Sequence, residues 1–418
     1  MFFDTIIAFD HFFQTIKIIA HLRVPSTLED VPAAYHSTGL QIRNIAAFLQ
    51  SPGAPLPKQL KGTIGASFTS NIGRQGYEDH VTALKKDILA GNIIQAVPSQ
   101  RLSRPTTLHP FNIYRRLRTV NPSPYLFYID CQDFQIIGAS PELLVKTENN
   151  IEEGRIITHP IAGTILRGDT TEQDHKLAEQ LRQSLKDRAE HVMLVDLARN
   201  DVNRVCDPLT TKVDRLMVVE KFSHVQHLVS QVSGVLRRQD GEGLHGEGMT
   251  RFDAFRSIFP AGTVSGAPKV RAMEIIAERE GEKRGVYAGA VGWWGYDTSR
   301  VKKGELDSMQ ETTIVREEGS MDTCIALRTM VMKDGVIYLQ AGGGIVFDSD
   351  PAEEWMETIN KLKANIMCVE SAEEMYRDGE GDGTNADMWK KILLRDLETP
   401  AASVDMDVDQ PHVEVGAA

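Results

Sequence analysis

Cysteine is scarce and scattered: Cys131, Cys206, Cys324 and Cys368 are far apart, with no CxxC pair. That spacing excludes a disulfide framework and a zinc ribbon and fits buried thiols in a reducing compartment. Long apolar runs are missing too. The opening MFFDTIIAFDHFFQTIKIIAHL is apolar, but Asp4, Asp10 and Lys17 interrupt it and no basic segment precedes it. We therefore expect neither a signal peptide nor a membrane span, and a cytoplasmic protein. A basic field is also absent. The net charge is −12, and the stretch from Ser371 onward, with 12 acidic and four basic residues, carries −8 of it. The rest is nearly neutral, which argues against nucleic acid as a partner. The Gly-x4-Gly-Lys-Ser/Thr loop of nucleoside triphosphate sites does not occur, nor does a Cys–His–Glu amidotransferase motif.

What is present is an ordinary globular balance, 41% apolar and 25% charged residues in a chain of 418, enough for one large core or two smaller ones. STLEDVPAAYHSTGLQIRNIAAFLQSPGAPLPKQ predicts a helix from Glu29 to Leu49 followed by a Pro/Gly-rich linker. In GYEDHVTALKKDILAGNIIQAVPSQRL an amphipathic helix stops at Gly91 and the remainder alternates like a strand. YLFYID, FQIIGAS and LLVKTE continue as short strands. Helices are expected over 172–200, 222–235, 268–280 and 351–368, with strand-like GVYAGAVGWWGYD, TCIALRTMVMKDG and VIYLQAGGGIVF between the last two. This mixture has no regular βαβ rhythm and predicts an α+β fold with largely antiparallel sheets. Residues 237–251 and 298–321 read as polar insertions. The chain divides into 1–75, 76–370 and an acidic, disordered tail over 371–418.

Five stretches carry candidate chemistry. DRAEHVMLVDLARND, read as a helix, sets Glu190, Leu194, Leu197 and Asp201 on one face. That is the pattern either of an untidy surface helix or of one that takes a charge into a cavity. AGGGIVFDSDPAEEWMETINK places three consecutive glycines after a strand, either a tight turn or a close approach for a ligand. Its helix opens at Pro351 and carries Glu353, Glu357 and Lys361 at successive turns, which a solvated ion-paired face also explains. Facing Glu190, it would complete the pair of carboxylates with which proteins hold Mg²⁺ beside water and substrate oxygens. FPAGTVSGAPKVRAMEII offers a carboxylate-binding turn before a helix at Pro268, with Lys269 and Arg271 read as solvated. KFSHVQHLVSQVSG puts His224 and His227 near one helical face. No third ligand lies at zinc spacing, so His227 is either a core histidine or a base. Arg328, inside the apolar TCIALRTMVM, needs an anion, either a protein acid or a bound carboxylate.

Together with GNIIQAVPSQR, NPSPYLFYID, GASPELL and PIAGTILRG, these blocks resemble the chorismate-utilising enzyme family over about Met1 to Val369, most closely its fungal anthranilate synthase large-component branch. The resemblance implies two antiparallel sheets packed face to face, with helices outside and the site between them. It implies Glu190 and Glu357 as Mg²⁺ ligands. Tyr287, Arg328 and the amides of Gly342, Gly343 and Gly344 match the site for the enolpyruvyl side chain. Gly163 and Thr164 match the ring lining, with Thr263 and Lys361 near the ring carboxylate. Glu142 matches the acid that helps the C4 hydroxyl leave, and His227 and Thr263 match residues associated with pyruvate elimination.

Two positions select within the family. Where isochorismate and salicylate synthases carry a water-activating lysine, this chain has Gln95, which favours ammonia as nucleophile. Aminodeoxychorismate synthases commonly use a lysine nucleophile in PIKGT, and PIAGT has Ala162 there. The implied reaction is therefore amination of chorismate and pyruvate elimination to anthranilate, with ammonia from a separate glutamine amidotransferase subunit, component II of the complex. Aminodeoxychorismate synthase, or a non-catalytic fragment that only binds the partner, are the alternatives. Asn121, Pro124, Tyr125 and Leu126 match a feedback site for tryptophan, with Leu126 replacing the methionine common there. The family's preceding region with its LLES motif has no counterpart before MFFDTIIAFDHF, so we expect residues 1–75 to be a remnant of it and feedback to be weakened.

Overall fold

The computed structural model describes residues 1–51, 53, 56–59, 66–148, 154–221, 225–237, 248–303 and 312–377, with backbone alone over 298–303 and 312–317. His224, most of the 237–251 insertion and the acidic tail beyond 377 lie outside the described residues. The chain divides into two compact units, Met1–Pro57 and Lys58 onward.

In the first unit, β1 (Thr5–Asp10) and β2 (Thr15–Ala20) form an antiparallel hairpin in the register Asp10 opposite Thr15. The Asp10 carboxylate accepts the amides of Phe12 and Phe13 and so closes the turn. α1 (Val31–Gln50) follows with proline in its first turn and no fully buried side chain. Phe2, Phe9, Phe12 and Phe13 are exposed.

The second unit begins with β3 (Thr69–Ser70) and α2 (Gly73–Leu89), which stops before Gly91, at φ 77°. Next come β4 (Gln95–Ala96), β5 (Ser99–Pro105), α3 (Pro110–Val120), β6 (Tyr125–Asp130) and β7 (Gln135–Ser140). β8 (Leu143–Thr147), β9 (Arg155–Thr158) and β10 (Ile161–Leu166) lead to α4 (Thr171–Gln183) and α5 (Leu185–Asn203). A long hairpin, β11 (Lys212–Lys221) and β12 (Val225–Val235), precedes α6 (Arg251–Ile258), β13 (Gly266–Ala267) and α7 (Lys269–Glu280). The chain continues through β14 (Ala290–Trp294), the hairpin β15 (Thr298–Lys303) and β16 (Thr312–Glu317), β17 (Met321–Ile325), β18 (Thr329–Lys333), β19 (Val336–Gly342) and α8 (Pro351–Met375).

Among the described residues two larger sheets form, both antiparallel. One runs β3-β5-β19-β18-β7-β6; the other runs β10-β12-β9-β8-β17-β14, with β11 added on β12. α3 and α8 cover the first sheet, burying Leu102, Ile137 and Leu339 against Ile113, Leu117, Leu362 and Ile366. α5 and α6 cover the second through Val195, Val202 and Ile258 against Val145 and Val232. A third cluster joins α2, α7 and α8 around Tyr77, Leu84, Ile276 and Trp355. The α+β class with antiparallel sheets and helices is thus as expected. No described helix is long and apolar enough to cross a membrane.

Several elements differ from the sequence reading. Residues 225–235 form β12, not a helix. Gln226, Leu228, Ser230 and Val232 are fully buried at every second position, and four valines suit the pleated surface. Both faces of this strand are packed, which hides the alternation under a continuous apolar run. The helix expected over 172–200 is two helices: Ser184 leaves helical geometry at ψ 112° and accepts the Asp187 amide as the cap of α5. α3 and α6 were not anticipated, although His109 and the Thr250–Asp253 capping box mark their starts. α8 runs to Met375 and buries Ala372, Glu373 and Met375, so the tail begins later than 371.

Glu373 makes a testable contact. Arg104 and Glu373 form an ion pair whose side chains are 3% and 2% exposed, with Thr106 Oγ1 donating to the carboxylate at 3.0 Å. Arg104→Met strands the carboxylate and should cost about 3–5 kcal/mol in denaturant unfolding. Adding Glu373→Leu should recover most of the loss, because the pair itself gains little over apolar packing.

Candidate active site

The site forms where the chain passes between the two sheets. β7 belongs to the first sheet and β8 to the second, and Pro141, lacking an amide hydrogen, separates them. Glu142 lies in this crossing. The return crossing joins β17 to β18 and holds Arg328 at φ 48°. Arg328 therefore sits at a corner, not inside a strand as its sequence context suggested. The two crossings are tied side by side: Ser140 Oγ donates to Ile325 O at 2.6 Å, the Ile325 amide to Glu142 O at 3.0 Å and the Ala139 amide to Arg328 O at 3.3 Å. An acid and a guanidinium are thereby delivered to one place by backbone pairing.

Their electrostatics are unusual. The Glu142 carboxyl is 6% exposed, and burial pushes its pKa up to about 8. Donation from Thr263 Oγ1 at 3.0 Å, the Ile161 amide and the charges of Arg328 and Lys361 oppose that rise without cancelling it. Burial holds the Arg328 guanidinium below its ordinary value, with the Tyr287 phenol and Glu142 nearest in effect. Among the described residues Arg328 has no ion pair, so the protein-acid reading of this residue does not hold here. Tyr287 is buried, with Arg284 stacked 5.5 Å from its ring centroid.

The triple glycine follows β19 and meets three side-chain groups in succession. A Cβ on Gly342 would stand 2.2 Å from Pro98 O and 3.0 Å from the Tyr287 hydroxyl. One on Gly343 would stand 3.0 Å from Glu354 Oε2 and 3.9 Å from Glu357 Oε1, and one on Gly344 would stand 2.3 Å from Gln95 Nε2 and 3.2 Å from Glu190 Oε1. Only glycines let this backbone lie between carboxylates of α5 and α8. Glu190 accepts from Gln95 Nε2 at 2.9 Å, and its pKa is raised by burial and by the charge of Glu357. Lys361 pairs with Glu357 at 2.6 Å and donates to Gly342 O at 2.8 Å. Glu354 is also buried, with Oε1 on Ser349 and Oε2 without a partner. No three Asp, Glu, His or Cys side chains among the described residues converge as a closed metal site. An oxygen-only set of Glu190 and Glu357, with the orphaned Glu354 oxygen nearby, nonetheless fits Mg²⁺, which takes few protein ligands and keeps water. A cation there would also relieve the mutual repulsion that raises Glu190.

A third wall comes from β10 and β12. Gly163, at φ 78°, makes a bulge between Ala162 and Thr164, and Thr164 then faces His227 across the ladder. His227 Nδ1 lies 3.0 Å from Thr164 Oγ1 and 3.3 Å from Gly163 O. Burial first, then the charges of Arg328 and Lys361, lower its pKa to about 4, so the ring is neutral at pH 7.

Glu142, Gly163, Thr164, Glu190, His227, Thr263, Tyr287, Arg328, Gly342, Gly343, Gly344, Glu357 and Lys361 thus meet in one region. Asn121, Pro124, Tyr125 and Leu126 do not. They lie at the α3–β6 junction, where Tyr125 donates to Asp322 at 3.1 Å and Leu126 packs on the core of the first sheet. Sequence reasoning missed His191, which is fully buried and bonds Ser230 Oγ at 2.6 Å and Ala162 O at 3.3 Å, fixing α5 beside Glu190. It also missed the Gln95–Glu190 bond. The turn over 259–268 is not an open anion site: Thr263 serves Glu142, and the Val264 and Ser265 amides are used within it. Lys269 is not solvated; it pairs with Asp201 at 2.7 Å, whereas Arg271 pairs with Glu274 on the surface. Asp201 is accordingly bound to Lys269, while Arg199 pairs with Asp196.

The model of the family described as chorismate binding enzyme matches residues 1–301 and 312–367, and the chain belongs to that family. Within it, the chain is 60% identical over 380 residues to anthranilate synthase component 1 of Saccharomyces cerevisiae, covering 90% of this chain and 68% of that protein. It is 57% identical over 382 residues to the probable anthranilate synthase component 1 of Schizosaccharomyces pombe, covering 91% and 71%. The crystal structure of anthranilate synthase component I from Streptococcus pneumoniae superposes with a TM-score of 0.68 at 36% identity, covering 87% of this chain and 72% of that one.

Proposed function

We propose that this enzyme is the aminating large subunit of an anthranilate synthase, a lyase that converts chorismate and ammonia to anthranilate and pyruvate. One observation carries the reading furthest: a buried acid that burial pushes towards its protonated form, a guanidinium without an ion pair among the described residues and two helix carboxylates converge, while Gln95, which matches the water-activating lysine of isochorismate synthases, bonds Glu190. Glu190 and Glu357 would hold Mg²⁺, which supplies charge neutralisation to the ring carboxylate. Arg328 and Tyr287 bind the enolpyruvyl carboxylate, a charge-assisted contact in a desolvated site, while the Gly343 amide is already given to the Tyr77 hydroxyl at 3.1 Å. Ammonia forms a bond to C2 as the C4 hydroxyl departs, and the Glu142 proton goes to that oxygen, releasing water. His227, held neutral at pH 7, then takes the C2 proton as the C3–O bond breaks; the enolpyruvyl oxygen leaves with the bonding electrons and the enolate takes a proton from solvent to become pyruvate. Ammonia would come from a glutamine amidotransferase subunit.

Tryptophan is the proposed feedback ligand. Its candidate segment is coupled in register to the acid: Tyr125 pairs with Ser140, two residues before Glu142. Displacing β6 would therefore pull on the strand that leads into the acid.

Purified chain, chorismate, Mg²⁺ and ammonium salt should yield anthranilate fluorescence. No product from a chain folded by circular dichroism would overturn the proposal. Arg328→Met should raise KM for chorismate about 10- to 100-fold, the worth of one charge-assisted contact. An unchanged KM would remove Arg328 from the substrate site.

A further inference from the structure

The connector between α6 and α7 carries Thr263, yet its two halves are held very differently. Its second half is pinned to the sheet-side chain: Val97 donates to Ser265 O at 3.0 Å, Gly266 pairs with Ala96 and Arg284 donates to Val264 O at 2.9 Å. The first half, Phe259 to Thr263, has no ladder partner. Beneath it lie the apolar residues of α5, with Leu197 3.0 Å from where a Gly262 Cβ would stand. At its base the Lys269 ammonium donates to Ile258 O at 3.1 Å and to Asp201 Oδ2 at 2.7 Å, and Ser257 Oγ donates to Asp201 O at 2.6 Å. Both side chains of the ion pair are nearly buried, 14% and 10% exposed. One ammonium thereby joins the two ends of the connector and ties both to the C-terminal turn of α5. Asp201 also lines, with Glu142, Thr263 and His159, a small cavity beside the acid.

We infer that the Lys269–Asp201 pair is a positioning device, closing the 258–269 connector so that Thr263 is held in hydrogen-bond reach of Glu142. This rests on Glu142 being the acid of the proposed reaction. Without the tether, the first half, which is bonded to the second through Ala261 O and Gly262 O, loses its fixed end at Ile258. Thr263 then moves off the carboxyl while the substrate contacts of Arg328 and Tyr287 stay in place. The consequence falls on turnover and not on binding, because a misplaced proton-transfer partner costs rate. The charged and titratable groups facing Glu142 are Arg328 from the β17–β18 corner, Lys361 from α8, and His159 and Asp201 across the cavity. Losing the Thr263 donor removes stabilisation of the ionised form, so the alkaline limb of activity moves to higher pH.

The test compares Lys269→Met, Lys269→Arg, Asp201→Leu with Lys269→Met, and Glu142→Gln in the full chain, assayed with chorismate, Mg²⁺ and ammonium salt over pH. Lys269→Met should lower kcat about 10- to 100-fold with KM within about threefold, and move the alkaline limb upward. Lys269→Arg, which keeps charge and reach, should restore most of kcat. The double variant replaces a buried pair by apolar side chains, so its melting temperature should recover while its kcat does not. A Lys269→Met protein, or a double variant, with the parent's kcat and pH limb overturns the inference. Glu142→Gln with the parent's kcat instead removes the acid on which the inference depends, so the two failures are distinguishable.

Discussion

Glu142→Gln should lower kcat about 10²- to 10⁴-fold, the usual contribution of a general acid, and abolish the alkaline limb expected of the parent enzyme near pH 8. Gln keeps the shape and the acceptor for Thr263 but has no transferable proton. The limb follows from direction: the folded carboxyl loses its proton only as pH passes about 8, so its acid form persists across the neutral range. The same shift has a stability consequence of opposite sign. A carboxyl whose folded pKa is raised from 4.5 to about 8 favours folding least at high pH, because the unfolded chain ionises there and the native site resists it. That contribution is intact below about pH 4.5 and is lost progressively up to pH 8. Glu142→Gln removes the penalty, so the inactive variant should melt higher than the parent at pH 8 and match it at pH 4. A variant that is both active and no more stable at pH 8 would contradict the role and the raised pKa together.

This coupling explains which parts of the molecule were legible in the sequence. Elements with one solvated face, such as α2 and β5, wrote their periodicity openly. β12 is packed on both faces, and there alternation gave way to an apolar run that reads as easily as helix. Glycines 342–344 were visible as a ligand approach, but which carboxylates they admit depends on α5 and α8 meeting from opposite sides of the sequence. Glu190 among leucines looked like a patterning fault for the same reason. Its neighbours make sense only with the fold: Leu194 and Leu197 pack beneath the Thr263 connector and Asp201 holds Lys269. His191, which fixes α5 to two strands, is a single residue with no local signal at all. Buried polar contacts between distant segments leave composition unchanged, so Lys269 was misread as solvent-facing. The feedback segment is the converse case: recognisable as a motif, with a tyrosine–aspartate bond and core packing as its own geometry.

Gly344→Ala should raise the Mg²⁺ concentration for half-maximal activity about 10- to 100-fold, the usual effect of disturbing a partner that orients a metal-binding carboxylate. The backbone at Gly344 is not in the left-handed region, so alanine is free of conformational strain there. The effect is steric. The new methyl would stand 2.3 Å from Gln95 Nε2, far inside contact distance. Gln95 is the tip of a side chain and can move, but it is 1% exposed and its amide is bonded to Glu190. Whatever motion relieves the clash must break that bond and release Glu190 into a site where burial and Glu357 already disfavour its charge. Gly342→Ala is different in kind, since Pro98 O is backbone within the β5–β19 pairing region and cannot step aside; that variant should lose folding stability. A double-mutant cycle separates the routes. If Gly344→Ala acts through Gln95, then Gly344→Ala combined with Gln95→Ala should be no worse in Mg²⁺ dependence than Gln95→Ala alone, because the clashing atom is gone. Additive losses would mean that the methyl disturbs Glu190 directly, at the 3.2 Å approach, and that Gln95 contributes independently.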